Sequence, residues 1–342
     1  MRRPYRLACV TLAFVASAQA FVHVRQVASP AIAAVLMPAA NAAGELPRMH
    51  SLLVSQGGEL VLERYYNGTR ADRPANIKSA SKSVISALVG IAIERGHLSG
   101  LDHAIGDIFP DLLAGEENAT RRSITIGDLL SMRSGLESTS NRNYGAWVLS
   151  RNWVRFALAQ DLISEPGTSM EYSTGNTHLL SAVLTKVTGK STWQFAQDQL
   201  ARPLGFDLQR WPQDPQGIYF GGNDMLMTPR QMLAFGELYL RGGTVGGRQI
   251  VPESWVELST VPLTRSPISG QEYGYGWWFR NLGGHDTFYA WGFGGQYIFV
   301  VRDLDLVVVA TSAATVDDER REHRRTVYDL VEQFIIAPLG AE

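Results

Sequence analysis

The chain has 342 residues, of which 45% are apolar, enough for one large core or two lobes sharing a cleft. A net charge of -2 with no basic run leaves no electrostatic footprint for nucleic acid. The single cysteine, Cys9, excludes disulfides, zinc–thiolate sites and a cysteine nucleophile from everything downstream of it.

The first twenty residues have the build of an export signal. Arg2, Arg3 and Arg6 form a basic start, Leu7 to Ala18 an apolar run, and Ala18-Gln19-Ala20 a small-residue cleavage site. Ala40-Asn41-Ala42 offers a later site, and an uncleaved anchor is the competing reading, although the apolar run is short for a span of about 20 residues. The expected organisation is a signal over residues 1–20, cut there or as late as 42, a linker over 21–45, and one domain over 46–340. That arrangement implies a periplasmic or secreted protein with no stable membrane insertion once the signal is removed. Cys9 is a poor lipidation site, because Arg6 stands where an apolar residue is expected.

Downstream, Ser51 to Ser55, the turn Gln56-Gly57-Gly58, and Leu60 to Tyr66 predict a β-hairpin. Near the other end Gln296 to Val301 and Leu306 to Ala310 predict another, followed by a helix from about Asp317 to Ile336. The middle, about 115–230, reads as mainly helical. Thr125 with Asp128 forms a capping box whose helix is expected to stop at Gly135. Thr228-Pro229-Arg230-Gln231 places a cap, an N1 proline and an N3 glutamine in order, with Gly242-Gly243 at the far end. The fold class expected is therefore mixed α/β (α+β): a central antiparallel sheet built from both chain ends and flanked by helices, with an inserted, mainly helical subdomain. A cleft between the lobes is the natural site.

Ser79-Ala80-Ser81-Lys82 opens a very apolar segment, Val84 to Ile93. Positions i and i+3 share a helix face, so the Lys82 amine can reach the Ser79 hydroxyl. The start of a helix also aims free N–H groups at an anion formed there. Lysine occurs at only four positions, 78, 82, 186 and 190, against 27 arginines, so a lysine here is more informative than an arginine would be.

Ser79-Ala-Ser-Lys82, then Ile126-Gly-Asp-Leu-Leu-Ser-Met-Arg-Ser-Gly-Leu136, Pro166 to Asn176 and Ala290-Trp-Gly-Phe-Gly-Gly-Gln296 together resemble the serine β-lactamase/penicillin-binding-protein superfamily. Within it the chain resembles the class C-like branch, which holds esterases and 6-aminohexanoate-oligomer hydrolases beside true β-lactamases. The resemblance covers most of residues 46 to 340. It implies Ser79 as acyl-enzyme nucleophile, with Lys82 and Tyr172 as a proton-transfer pair. It also implies the backbone N–H groups of Ser79 and Phe293 as oxyanion hole, and no cofactor or metal.

Two departures stand out. The family's Tyr-x-Asn falls on Tyr172-Ser173-Thr174, so the asparagine position holds Thr174 and the nearest asparagine is Asn176. The Lys-Thr-Gly strand falls on Ala290-Trp291-Gly292, which carries no cation, so carboxylate recognition would need Arg280 or His285 to reach in. Asn176, Trp291 and Gly292 are the candidate substrate-binding residues. Ser150-Arg151-Asn152 is a weaker candidate for the second motif, because its surroundings read as a helix interior. Burial lowers a lysine pKa and a neighbouring cation lowers a tyrosine pKa, so Lys82 and Tyr172 are expected to share one proton.

No metal spacing occurs among the seven histidines, and His178, two residues past Asn176, could line the cleft, although a packed or exposed histidine is the expected reading. Gly221-Gly222 reads as a turn. Ten aromatics between Tyr273 and Tyr297 exceed what one buried sheet face needs and suggest an apolar acyl pocket. The expected activity is a secreted serine hydrolase acting on a small-molecule ester or amide. A β-lactamase or D,D-peptidase-like enzyme and a non-catalytic acyl-ligand binder remain the alternatives.

Overall fold

A computed structural model describes residues 30–341. The expected signal and Cys9 lie outside the described residues. The two terminal hairpins join as one eight-stranded antiparallel sheet. In chain order its strands are β1 (Met49–Gln56), β2 (Glu59–Tyr65), β3 (Thr264–Arg265), β4 (Glu272–Tyr273), β5 (Trp278–Leu282), β6 (His285–Gly292), β7 (Gln296–Val301) and β8 (Leu306–Ser312). The spatial order is β2-β1-β8-β7-β6-β5-β4-β3, and the chain ends meet where β1 pairs with β8, Leu53 opposite Val309.

The helices used below are α1 (Pro30–Val35), α2 (Met37–Gly44), α3 (Ser81–Glu94), α4 (Ile126–Leu130), α5 (Thr174–Thr188), α6 (Pro229–Leu240) and α7 (Arg320–Val331). Both sheet faces are covered. Leu53, Ile298, Val300, Val307 and Val309 pack with α3 and α6 on one face. Leu52, Val54, Phe299, Val301 and Val308 pack with α2 and α7 on the other. Every residue of β7 and β8 is consequently buried, which is why these strands read as continuous apolar runs rather than alternating ones.

The same arrangement accounts for much of the aromatic surplus between Tyr273 and Tyr297. Phe288 lies in one core and its neighbour Tyr289 in the other, so both sides of the strand bury rings. Residues 30–44, expected as linker, are instead helical. Leu36, Ala39 and Ala43 are fully buried, and α2 contacts both β1 and α7, because small apolar side chains let this helix sit close on the sheet.

The caps at Thr125 and Thr228 form as read: each hydroxyl accepts from the N3 backbone N–H, and the N3 side chain accepts from the cap N–H. The first helix ends at Leu130 rather than at Gly135, since Met132 already takes φ +62°. Ser150-Arg151-Asn152 is not a helix interior. It is the break between the helices Tyr144–Val148 and Trp153–Leu158, where Asn152 caps the second by accepting from Arg155 N–H.

Candidate active site

Ser79 and Lys82 sit where a short turn, Lys78–Ala80, runs into α3. Both ends of that turn are fixed. Lys78 adopts φ +52°, unusual for a residue with a side chain. Its N–H donates to Asn76 Oδ1 at 3.0 Å and its ammonium pairs with Asp224 Oδ1 at 2.7 Å. The end of β6 closes in from the other side. A Cβ on Gly292 would lie 2.1 Å from the carbonyl oxygen of Ile77, so only glycine lets the strand end approach the nucleophile turn this closely. Phe293 is the first residue beyond β6.

Lys82 is almost fully buried, at 2% exposure. Its Nζ lies 3.1 Å from Ser79 Oγ, 3.3 Å from Thr174 Oγ1 and 2.7 Å from the Gly222 carbonyl oxygen. No carboxylate pairs with it among the described residues. Desolvation, with no charge to offset it, lowers the pKa to about 7. Three acceptors match the three N–H bonds of the ammonium. On deprotonation two N–H bonds can stay on Gly222 and Thr174, leaving the lone pair for the Ser79 hydroxyl.

Tyr172, just ahead of α5, stands on the other side of the pair. Its ring centroid is 5.0 Å from Lys82 Nζ. Burial pushes its pKa well above the ordinary tyrosine value. The expected lowering by a neighbouring cation does not occur, because the lysine is itself driven toward its neutral form. Burial therefore favours the uncharged form of both groups, the phenol of Tyr172 and the amine of Lys82.

Of the candidate substrate-binding residues, Asn176 is not beside Lys82. It is 2% exposed, and its Oδ1 accepts from Ser134 Oγ at 3.1 Å. The asparagine position of the family motif is occupied by Thr174, whose hydroxyl lies between Lys82 Nζ at 3.3 Å and Ser140 Oγ at 2.9 Å. Gly222 was hidden in what reads as a plain turn, since a backbone carbonyl has no sequence signature. Trp291 is partly exposed and continues an aromatic wall from Tyr172. Tyr172 lies 5.6 Å from Trp278, and Trp278 5.8 Å from Trp291, centroid to centroid.

Neither expected cation reaches this wall. Arg280 stacks on Tyr328 at 4.5 Å and His285 Nδ1 pairs with Asp303 at 2.6 Å. Two others, missed in the sequence, do approach it from α7: Arg320 lies 4.3 Å over Phe293 and Arg324 5.5 Å over Trp291. Their i, i+4 spacing puts both on one helix face, a signal that only the packing of α7 makes meaningful.

Residues 45–333 match the family model described as Beta-lactamase. The chain belongs to the beta-lactamase family. Among curated relatives, 6-aminohexanoate-dimer hydrolase of Paenarthrobacter ureafaciens is 23% identical over 306 residues, spanning 80% of this chain and 74% of the relative. Among solved structures, EstCE1, a hydrolase with promiscuous acyltransferase activity, superposes with a TM-score of 0.69 at 20% identity, covering 87% of this chain and 98% of that one. A family VIII carboxylesterase superposes with a TM-score of 0.69 at 18% identity, covering 90% and 99%. The protein is a beta-lactamase-related hydrolase with the β-lactamase/transpeptidase fold.

Proposed function

We propose that this beta-lactamase-family protein is an exported serine hydrolase that cleaves a small ester or amide through a Ser79 acyl-enzyme. The observation that carries the reading is the buried Lys82 amine, without a carboxylate, 3.1 Å from Ser79 Oγ. With its pKa near 7 the amine is substantially neutral at physiological pH and able to take the Ser79 proton as the hydroxyl attacks the carbonyl. The N–H groups of Ser79 and Phe293 receive the oxyanion. Tyr172, a phenol, passes a proton from the Lys82 side to the leaving alkoxide or amine. It accepts one back when water attacks the acyl-enzyme. The water donates a proton through Tyr172 to Lys82, the acyl–oxygen bond breaks, and Lys82 returns that proton to Ser79 Oγ, which restores both the hydroxyl and the neutral amine.

Ester and amide substrates are favoured over penicillins by Ala290-Trp291-Gly292, which offers an aromatic surface where the family places a cation. The names of the hydrolase relatives point the same way. A second reading, a substrate bearing a carboxylate and β-lactams among them, is favoured by Arg320 and Arg324 at Phe293 and Trp291. Export rests on the first twenty residues, with cleavage at 20 preferred over 42, since the later cut removes the buried Leu36, Ala39 and Ala40 from the sheet.

The test is labelling by a fluorophosphonate probe and turnover of p-nitrophenyl butyrate, each with wild type and Ser79→Ala. Labelling on Ser79 and turnover abolished by the substitution are expected. An unlabelled, inactive wild type overturns the hydrolase reading and leaves the binder. Rapid opening of a chromogenic cephalosporin moves the substrate preference to the second reading, and exported protein that still begins at Met1 or Arg2 rejects cleavage.

A further inference from the structure

Gly222 holds Lys82 through a carbonyl on an irregular strap, residues 211–222, and the strap is anchored at one buried pair. His178 on α5 is fully buried, boxed by Trp147, Trp153 and Phe220 at ring centroid distances of 5.7, 5.3 and 5.9 Å. Its Nε2 lies 3.1 Å from Asp214 Oδ2. The other carboxylate oxygen, Oδ1, accepts from the N–H groups of Gln216 and Ile218 at 2.8 and 2.9 Å. A carboxylate only accepts, so Nε2 carries the hydrogen. Burial holds the ring toward its neutral form, and a neutral ring with Nε2–H has a bare Nδ1. The Gly221 N–H donates to that Nδ1 over 3.5 Å.

The next residue supplies the carbonyl that accepts from Lys82 at 2.7 Å. The seat has little slack. A Cβ on Gly221 would stand 2.0 Å from the Thr177 carbonyl oxygen, and one on Gly222 2.0 Å from Thr177 Oγ1 and 3.1 Å from Lys82 Nζ. Asp214 is the charged group facing His178, and the three aromatic rings cover its other sides.

We infer that His178 and Asp214 are positioning residues for catalysis: Asp214 fixes the imidazole tautomer, the imidazole fixes the Gly221 amide, and the Gly222 carbonyl thereby holds the Lys82 amine in line with Ser79. The inference rests on Lys82 acting as the base at Ser79. A histidine suits the place because it offers a donor on one edge and an acceptor on the other within an apolar box. The pair does not touch the substrate, and its effect reaches the reaction through the placement of Lys82 alone.

Asp214→Asn is the discriminating variant. With the amide oxygen kept by Gln216 and Ile218, the amide N–H faces Nε2 and drives the ring hydrogen to Nδ1, against the Gly221 N–H. For hydrolysis of p-nitrophenyl butyrate, kcat is expected to fall about tenfold with KM changed less than about twofold. Displacing Gly222 takes an acceptor from the ammonium, which lowers the Lys82 pKa, so the acid limb of the kcat profile moves to lower pH. His178→Asn, which keeps an acceptor near the Nδ1 position, is expected to recover most of kcat. His178→Phe, which fills the box and keeps neither group, is not.

A purely structural pair lowers the melting temperature of folded Asp214→Asn and leaves kcat and the acid limb unmoved, and that result overturns the inference. Lys82→Met separates the underlying reading: a wild-type rate in Lys82→Met defeats the Ser79–Lys82 assignment itself. Nitrogen-15 NMR of the wild-type protein decides the matter if the variants do not fold. A neutral His178 with hydrogen on Nε2 is expected at pH 7, and the opposite tautomer or an imidazolium overturns it.

Discussion

Lys78 and Lys82 flank Ser79-Ala80-Ser81, four residues apart, and the protein handles their charges in opposite ways. Lys78 meets a carboxylate: Asp224 Oδ1 is 2.7 Å from its Nζ and also 2.7 Å from Asn76 Nδ2, and both partners of the ion pair keep 23% of their side chains exposed. Lys82 meets three neutral oxygens and almost no solvent. The first arrangement pairs the side chain with a carboxylate and so pins a backbone turn held at φ +52°. The second makes the charged form costly, which is what turns an amine into a base near neutral pH. What separates the two lysines here is a single missing carboxylate, within one turn of chain.

Lys82→Met breaks the comparison most severely, since it removes the base and keeps the bulk. Activity toward an ester is expected to fall by about a thousandfold or more. Stability is expected to move the other way. The folded lysine titrates near 7 and the unfolded one near 10.5, so between those values the unfolded chain binds more protons, and the wild type gains stability as pH rises through that window. The melting temperature of Lys82→Met should therefore exceed that of wild type at pH 7, with the gain shrinking toward pH 10.5. Thermal scans at pH 7 and 9 check this. A variant equally destabilised at both values shows that the buried amine carries no strain.

Asp224→Asn tests the other lysine. The turn ahead of Ser79 loses a charge-assisted anchor while Asn76 and Lys78 keep their backbone link, and about a tenfold loss in kcat is expected. A double-mutant cycle with Lys78→Met should give a coupling of about 1 kcal/mol, typical of a partly exposed pair. The acid limb of the pH profile should stay in place, because Lys82 keeps all three acceptors. A limb that moves with Asp224→Asn would mean that the two lysines are electrically coupled and that the contrast between them is overstated.

The two halves of this contrast were unequally legible in the sequence. Ser79 and Lys82 are visible by type and spacing, and the terminal hairpins by their apolar runs and glycine turns, because these are local properties of the chain, whereas Tyr172 is located only by its place in a motif of the family that the chain resembles. Thr174 could be located only as a departure from the family motif, and whether it or Asn176 faces Lys82 is open at the level of the sequence. Which polar group faces Lys82 depends on the phase of α5, and Asn176 points to Ser134 instead. Gly222 and the Asp214–His178 support were out of reach, since a carbonyl and a tautomer are written in no residue type. Arg320 and Arg324, rather than Arg280 and His285, lie over the rings near the strand end, because nearness along the strand is a poor guide to nearness across a two-faced sheet.

Thr174→Val probes the least of Lys82's three contacts. Valine matches threonine in shape and deletes only the hydroxyl, which lies 3.3 Å from Nζ and bonds Ser140 on its far side. The ammonium then keeps two acceptors, Ser79 and Gly222. Its charged form loses one hydrogen bond, so the Lys82 pKa falls and the acid limb of kcat moves down by about one pH unit, the equivalent of about 1.4 kcal/mol. On the plateau the loss in kcat should be only about threefold, because the Gly222 carbonyl at 2.7 Å still sets the direction of the amine. The signs of the two effects are opposed below pH 7: a lower limb raises the fraction of active base where a lower plateau reduces turnover. A Thr174→Val enzyme that matches or exceeds wild type at pH 6 while trailing it at pH 9 is the expected signature. A limb that moves upward instead would mean that water replaces the hydroxyl, and that the enclosure of Lys82, rather than its hydrogen bonds, sets its pKa.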